Sequence, residues 1–249
     1  VQHCLREDCQ SATGGFLRTV RTAMVRMGSP MNSEAEARLR IKPLLEAHGM
    51  TFAEELGITL EKNTPSALFR WWCASLLLSA RIRTSLALRA AGAVFERGWT
   101  TPQKLADSSW KERVSVLKCA GYGRYDERTA SMLGDGAKRL LADYGGDLRR
   151  LRARADRCPQ DERRLLKEFK GIGRVGADIY CREVQVAWPE LYPFADAKAL
   201  QAARTLGLGE DANQLAALVD RADYVRLVAA LVRTSISGND ARNGAAHLE

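Results

Sequence analysis

Histidine is scarce in this chain of 249 residues, with only His3, His48 and His247, so a catalytic metal centre built on imidazoles is not expected. Its six cysteines, Cys4, Cys9, Cys73, Cys119, Cys158 and Cys181, are scattered. No four have clustered spacing, which argues against an iron–sulfur cluster. Cys4, Cys9 and His3 form a loose group, weak as a zinc site because the ligand set is incomplete nearby. Long apolar runs are missing too; a membrane span needs roughly 18 such residues, so no membrane association is expected. No secretory leader is evident, and dispersed cysteines suit a reducing compartment, so a cytoplasmic protein is expected, nucleoid-associated if bacterial. Aromatic residues make up 7%. Alternating β-branched runs bounded by turns are nearly absent, which excludes a sheet-based fold.

What is present is helical pattern and positive charge. Amphipathic stretches rich in Ala, Leu and Arg recur at 33–48, 66–80, 84–97, 102–107, 110–119, 126–143, 161–169, 174–187, 197–206, 210–219 and 221–236. An all-α fold follows. The net charge of +8 favours a polyanionic partner. The charge is uneven: residues 149–170 hold nine Arg or Lys against four acids. Such a run is ordinarily a solvated helix face; here its place just before the motif below favours contact with a nucleic-acid backbone.

The most informative stretch is 165–200, LLKEFKGIGRVGADIYCREVQVAWPELYPFADAKAL. Leu165, Leu166 and Phe169 fall at helical spacing. Gly171 then stands where a left-handed residue would end a helix, and Gly173 allows a second turn at once. A helix starting near Arg174 would present unpaired N–H groups at the positive end of its dipole, a ready phosphate site. Lys170 and Arg174 add charge beside it. A Gly-x-Gly alone would equally suit an ordinary tight connection between helices. Twenty-three residues beyond Gly173, Asp196 stands at the start of another helix. Asp is a favoured N-cap, so capping alone is one reading of it; a carboxylate placed for chemistry is the other.

The segment Gly171-Ile172-Gly173-Arg174-Val175-Gly176-Ala177, followed by a Pro-containing loop and Asp196, resembles the helix-hairpin-helix of the endonuclease III-like DNA glycosylases. ASLLLSARIRTS at 74–85 and GYGRYDERTASML at 121–133 resemble other segments of that family, so the resemblance spans about residues 66–200. It implies a two-lobed helical fold with the active site between lobes. The middle lobe would be 66–189, carrying the hairpin at about 161–187. The second lobe would join 33–65 to 190–249, with 1–32 as a poorly ordered extension. The implied activity is excision of a flipped, damaged or mismatched base from double-stranded DNA by a monomer. Asp196 would be the catalytic carboxylate, stabilising positive charge on the sugar and orienting or deprotonating water. Lys170, Gly171, Gly173, Arg174 and Gly176 would bind the DNA backbone. Arg81 would enter the duplex; a surface arginine is the competing reading, and Arg83 is a neighbouring candidate. Tyr125 would line the base pocket, unless it is a core tyrosine beneath the Gly121–Gly123 turn. Trp71 and Trp72 read as core.

Two departures from the family matter. Members that also cleave the strand carry a lysine two residues after the second hairpin glycine; here Val175 stands there and cannot act as a nucleophile. The resemblance therefore implies a monofunctional enzyme using water; Lys170 and Lys198, close in sequence to the site, are candidates for a weak lyase activity, but neither matches the family position. The family's C-x6-C-x2-C-x5-C site is also missing, since no cysteine follows Asp196. No cofactor is required on this reading, though the hairpin carbonyls suit Na+ or K+. The sequence lies nearest the monofunctional thymine and uracil glycosylases. An alkylated-base glycosylase, and a DNA-binding protein that kept the scaffold without activity, remain open.

Overall fold

The computed structural model describes residues 30–123 and 125–245, with side chains over 35–123 and 125–237. Thirteen α-helices occur among them: α1 Pro30–His48, α2 Phe52–Glu55, α3 Pro65–Leu78, α4 Thr84–Glu96, α5 Pro102–Asp107, α6 Trp110–Cys119, α7 Asp126–Tyr144, α8 Leu148–Arg154, α9 Pro159–Lys167, α10 Arg174–Val184, α11 Ala197–Thr205, α12 Ala212–Leu218 and α13 Arg221–Ala245. Two 3-10 turns, Leu60–Lys62 and Pro189–Leu191, complete the elements. No strand occurs among the described residues, so the fold is all-α. The extension expected over 1–32 lies outside the described residues, except that 30–32 open α1. Cys4, Cys9 and His3 lie outside them too.

Helix starts follow local chemistry. Thr64 caps α3 by accepting from the Ala67 N–H, with Pro65 in the first turn where no N–H is needed. Ser109 and Glu112 form a capping box on α6, and Thr51 with Glu54 does the same for α2. Asp147 caps α8, and Asp211 accepts from two N–H groups of α12. The short helices α2 and α8 were not anticipated from periodicity; α8 lies within the basic run. α13 runs past the expected end at 236, to Ala245, while α10 stops at Val184 rather than 187.

The core is built around α3, whose residues from Ala67 to Leu77 are buried apart from Arg70. A helix apolar all round must be central. Trp71 donates through Nε1 to the Tyr180 carbonyl of α10 at 3.1 Å. Trp72 meets Phe169 edge-on at 5.4 Å and lies against α7 at Gly136, where a Cβ would sit 2.2 Å from its ring. Both tryptophans are thus core, as the sequence suggests. α13 packs on α1 and α11, α7 packs on α5 and α6, and α3 packs on α4. α10 touches α3 and α9 and also α13, so it links the helices packed around α3 to the group of α1, α11 and α13.

Candidate active site

The hairpin joins α9 to α10 through 168–173. Phe169 is buried between Trp72 and Tyr144, with centroids 5.4 and 6.2 Å away, and the Ile172 N–H donates to its carbonyl at 2.9 Å. These contacts fix the turn from inside. Gly171 has φ +95°, and a Cβ there would lie 2.5 Å from Met132 Sδ, so both conformation and space require glycine. Gly173 differs. Its φ is −83° and a Cβ would meet nothing within 4 Å, so the fold itself makes little demand for glycine there. It is the N-cap residue of α10 and no side chain caps that helix, which leaves the first N–H groups for an outside acceptor. Lys170 is exposed, and the Arg174 side chain is 79% exposed. Gly176 is buried against Ser79 and Ile172; its position serves helix packing.

Asp196 reaches the same region through a tightly held crossover. At the end of α10, Gln185 donates to the Phe194 carbonyl and accepts from its N–H, both at 2.9 Å. That two-way clamp fixes the backbone two residues before Asp196. Arg152 grips Glu190 with two hydrogen bonds, Trp188 donates to Asn63 at 3.2 Å, and Tyr192 meets Tyr224 edge-on at 5.0 Å. Asp196 then caps α11, its Oδ1 accepting from the Ala199 N–H at 2.9 Å. Its Oδ2 accepts from Arg182 Nη1 at 2.6 Å, both side chains being under a tenth exposed. The capping and positioned-carboxylate readings therefore coexist in one residue. A buried pair is costly to break, because removing one partner leaves the other charge uncompensated, about 3–5 kcal/mol.

These elements meet at a cavity of about 440 Å³, within the roughly 300–1,000 Å³ common for small-molecule pockets. The starts of α4 (Thr84), α10 (Arg174, Val175) and α11 (Asp196 to Lys198) contribute to its wall. Their dipoles add positive potential there. Leu78, Ile179, Val232 and Ile236 supply apolar surface. Val175, 59% exposed, lines this cavity. Lys198 lines it as well, whereas Lys170 does not.

Several wall residues were not singled out from sequence. Asp178, nine-tenths buried, bonds Arg163 and lies 3.8 Å from Arg174 Nε. Arg174, Asp178 and Arg182 fall at i, i+4, i+8, a row of alternating charge on an otherwise buried helix that the sequence offered as a signal. Phe52 is held from α10 by Glu183, whose carboxylate accepts from the Phe52 and Ala53 N–H groups at 3.0 and 2.8 Å. Burial pushes the Glu183 carboxyl up, against the pull of Arg182 and those N–H groups. Burial also pushes the Cys73 and Cys181 thiols up, so neither is a nucleophile at neutral pH.

Other expected residues fall elsewhere. Tyr125, half-buried before α7, is not among the residues lining the cavity. Arg81 is exposed between α3 and α4, three residues before Thr84. The basic run is partly paired within the fold: Arg149 and Arg164 meet carboxylates at the surface, and Arg152 and Arg163 meet less exposed ones. Arg152 and Arg163 therefore hold the fold rather than a ligand. Among the described residues, no three His, Cys, Asp or Glu side chains gather as a metal site, and no helix is long and apolar enough to cross a membrane.

No protein-family model matches the chain, and no curated protein matches it. Among solved structures it is similar to the protein of a trapped endonuclease III–DNA covalent intermediate, an estranged-adenine complex. The two are 17% identical, with 78% of this chain and 84% of that one covered, at a TM-score of 0.44.

Proposed function

We propose that this chain is a DNA glycosylase that hydrolyses the bond between a flipped base and its deoxyribose in double-stranded DNA. One observation carries the reading: the uncapped start of α10 and the Asp196 carboxylate border the same cavity. A backbone phosphate seated on the α10 N–H groups, with Lys170 and Arg174 beside it, would place the neighbouring sugar at the cavity mouth. A carbonyl-bound Na+ or K+ at the hairpin would reinforce that seat. Base extrusion brings the glycosidic bond inside, and Arg81 is the candidate to fill the gap in the duplex. As that bond lengthens, positive charge grows on the sugar; Asp196 stabilises it and orients water for attack at C1′. Val175 stands where a nucleophilic lysine would cleave the strand, which favours a monofunctional, water-using reaction. The favoured substrates are uracil and mismatched thymine.

The test is base release from duplexes carrying uracil, a T:G mismatch, an oxidised pyrimidine or an alkylated purine, read by alkaline cleavage at the abasic site. Release that depends on Asp196 supports the glycosylase. Tight binding to abasic DNA with no base released would instead identify a structure-specific binding protein. Abasic-site lyase activity is a second reading, favoured by the position of Lys198 on the cavity wall. Borohydride trapping on abasic DNA, lost in Lys198→Ala, would establish it.

A further inference from the structure

We infer that Arg182 reads the departing base: anchored on Asp196, its guanidinium donates to a carbonyl oxygen of the base and stabilises the negative charge left on it. The inference rests on the glycosylase reading and narrows its substrate to oxo-bases that leave as anions, uracil and thymine foremost.

Arg182 lines the cavity and is only 3% exposed. A guanidinium carries five N–H donors and no acceptor. Here it makes one hydrogen bond, from Nη1 to Asp196 Oδ2 at 2.6 Å, and Nε is buried without a partner. Buried donors are ordinarily satisfied, and a charged one left unpaired is costly. Nε is enclosed, so the donors left for a ligand in the cavity are those of the guanidinium Nη groups, which have no acceptor among the described residues other than Asp196. A base carbonyl is an acceptor; an exocyclic amine is a donor and repels the same face.

The charge around the cavity points the same way. Arg174, Arg182 and Lys198 line it against Asp178 and Asp196, and both carboxylates already face arginines. A cationic alkylpurine is therefore disfavoured. Phe52, the aromatic ring on the wall, does not offset this. The Arg182 and Arg233 guanidinium carbons lie over it at 5.2 and 4.2 Å, so its π electrons already serve two cations.

In the reaction the C1′–N1 bond breaks with its electron pair passing into the pyrimidine, where charge collects on the carbonyl oxygens. The hydrogen bond from Arg182 strengthens as that charge grows, so it favours the transition state over the ground state. The water oxygen bonds to C1′, one of its protons passes to Asp196 and then to solvent, and the anionic base is protonated by solvent on release.

Single-turnover rates test this with uracil, 5-fluorouracil and 7-methylguanine duplexes, comparing the protein with Arg182→Lys and Arg182→Met. Lysine keeps the charge beside Asp196 but loses the planar set of donors, so it carries the test if the methionine variant does not fold. The parent protein is expected to release both pyrimidines and leave 7-methylguanine. In Arg182→Lys uracil release should fall roughly 10–100-fold, and 5-fluorouracil release should fall less, because its more stable anion depends less on the donor. An equal fall on both pyrimidines overturns the inference, leaving Arg182 as a support for Asp196. Asp196-dependent release of 7-methylguanine in preference to uracil overturns it while the glycosylase reading stands. If the parent protein releases none of these bases, nor any other on the wider panel, the glycosylase reading itself falls and the inference falls with it.

Discussion

Val175 and Gly173 show how much two side chains decide. Val175 lines the cavity from the first turn of α10, so on the proposed reading a longer amine at that position would face the deoxyribose beside Asp196. Val175→Lys is expected to give a borohydride-trapped covalent complex with abasic DNA at levels well above the parent chain. Trapping that stays at the parent level would mean that the cavity does not receive the sugar. The two hairpin glycines separate folding from binding. Gly171→Ala meets Met132 Sδ and a left-handed backbone, and should lower stability by about 1–3 kcal/mol in urea unfolding. Gly173→Ala enters open space at an ordinary φ, and should leave stability within about 0.5 kcal/mol. If a phosphate sits on the α10 start, the same methyl group should still weaken DNA binding. Equal stability losses in the two variants would contradict these separate roles.

The helices α9 and α10 and the crossover after them hold the site through buried polar groups. Glu162 on α9 is fully buried, and both its oxygens have no hydrogen-bond partner. Burial, and then the neighbouring Glu190 carboxyl, push Glu162 up to about 8 from an ordinary 4.5. Below 4.5 both folded and unfolded chains hold the proton, and this group costs nothing. Between 4.5 and 8 the unfolded chain ionises while the folded one does not, so stability falls as pH rises and levels off above 8. Glu162→Gln should flatten this loss, giving a variant more stable than the parent at pH 8.5. Urea unfolding at several pH values checks this; parallel pH dependences in the two proteins would contradict it. None of this was legible from sequence. Glu162 reads there as one acid in a solvated basic run, because helical periodicity reports which face is apolar and not which polar groups are trapped beneath a neighbouring loop. Gln185 was hidden for the same reason: its two-way clamp on Phe194 depends on how the crossover folds back. Legibility was best where local chemistry dictates conformation. The hairpin glycine at 171, the Asp196 cap and the buried tryptophans of α3 all followed from spacing and residue type.

Across the molecule, the all-α architecture was legible because helix formers dominate and strand patterns are missing. The meeting of the helices around α3 with those around α13 was not, since it depends on α10 touching α3, α9 and α13 together. That meeting brings the hairpin, Arg182 and Asp196 to one cavity although Gly173 and Asp196 are 23 residues apart. Positive potential from the three helix starts and the +8 net charge suits a polyanion whose binding weakens with salt. It does not by itself require chemistry; the proposed chemistry rests on Asp196. The most direct measurement is the free base released from a uracil-containing duplex under single turnover, by the parent protein and by Asp196→Asn shown to be folded. Asp196→Asn keeps an N-cap but leaves the buried Arg182 without its carboxylate, so urea unfolding of the variant accompanies the comparison. The account predicts uracil release by the parent and a loss of at least about 100-fold in the variant; equal release by both proteins would contradict it.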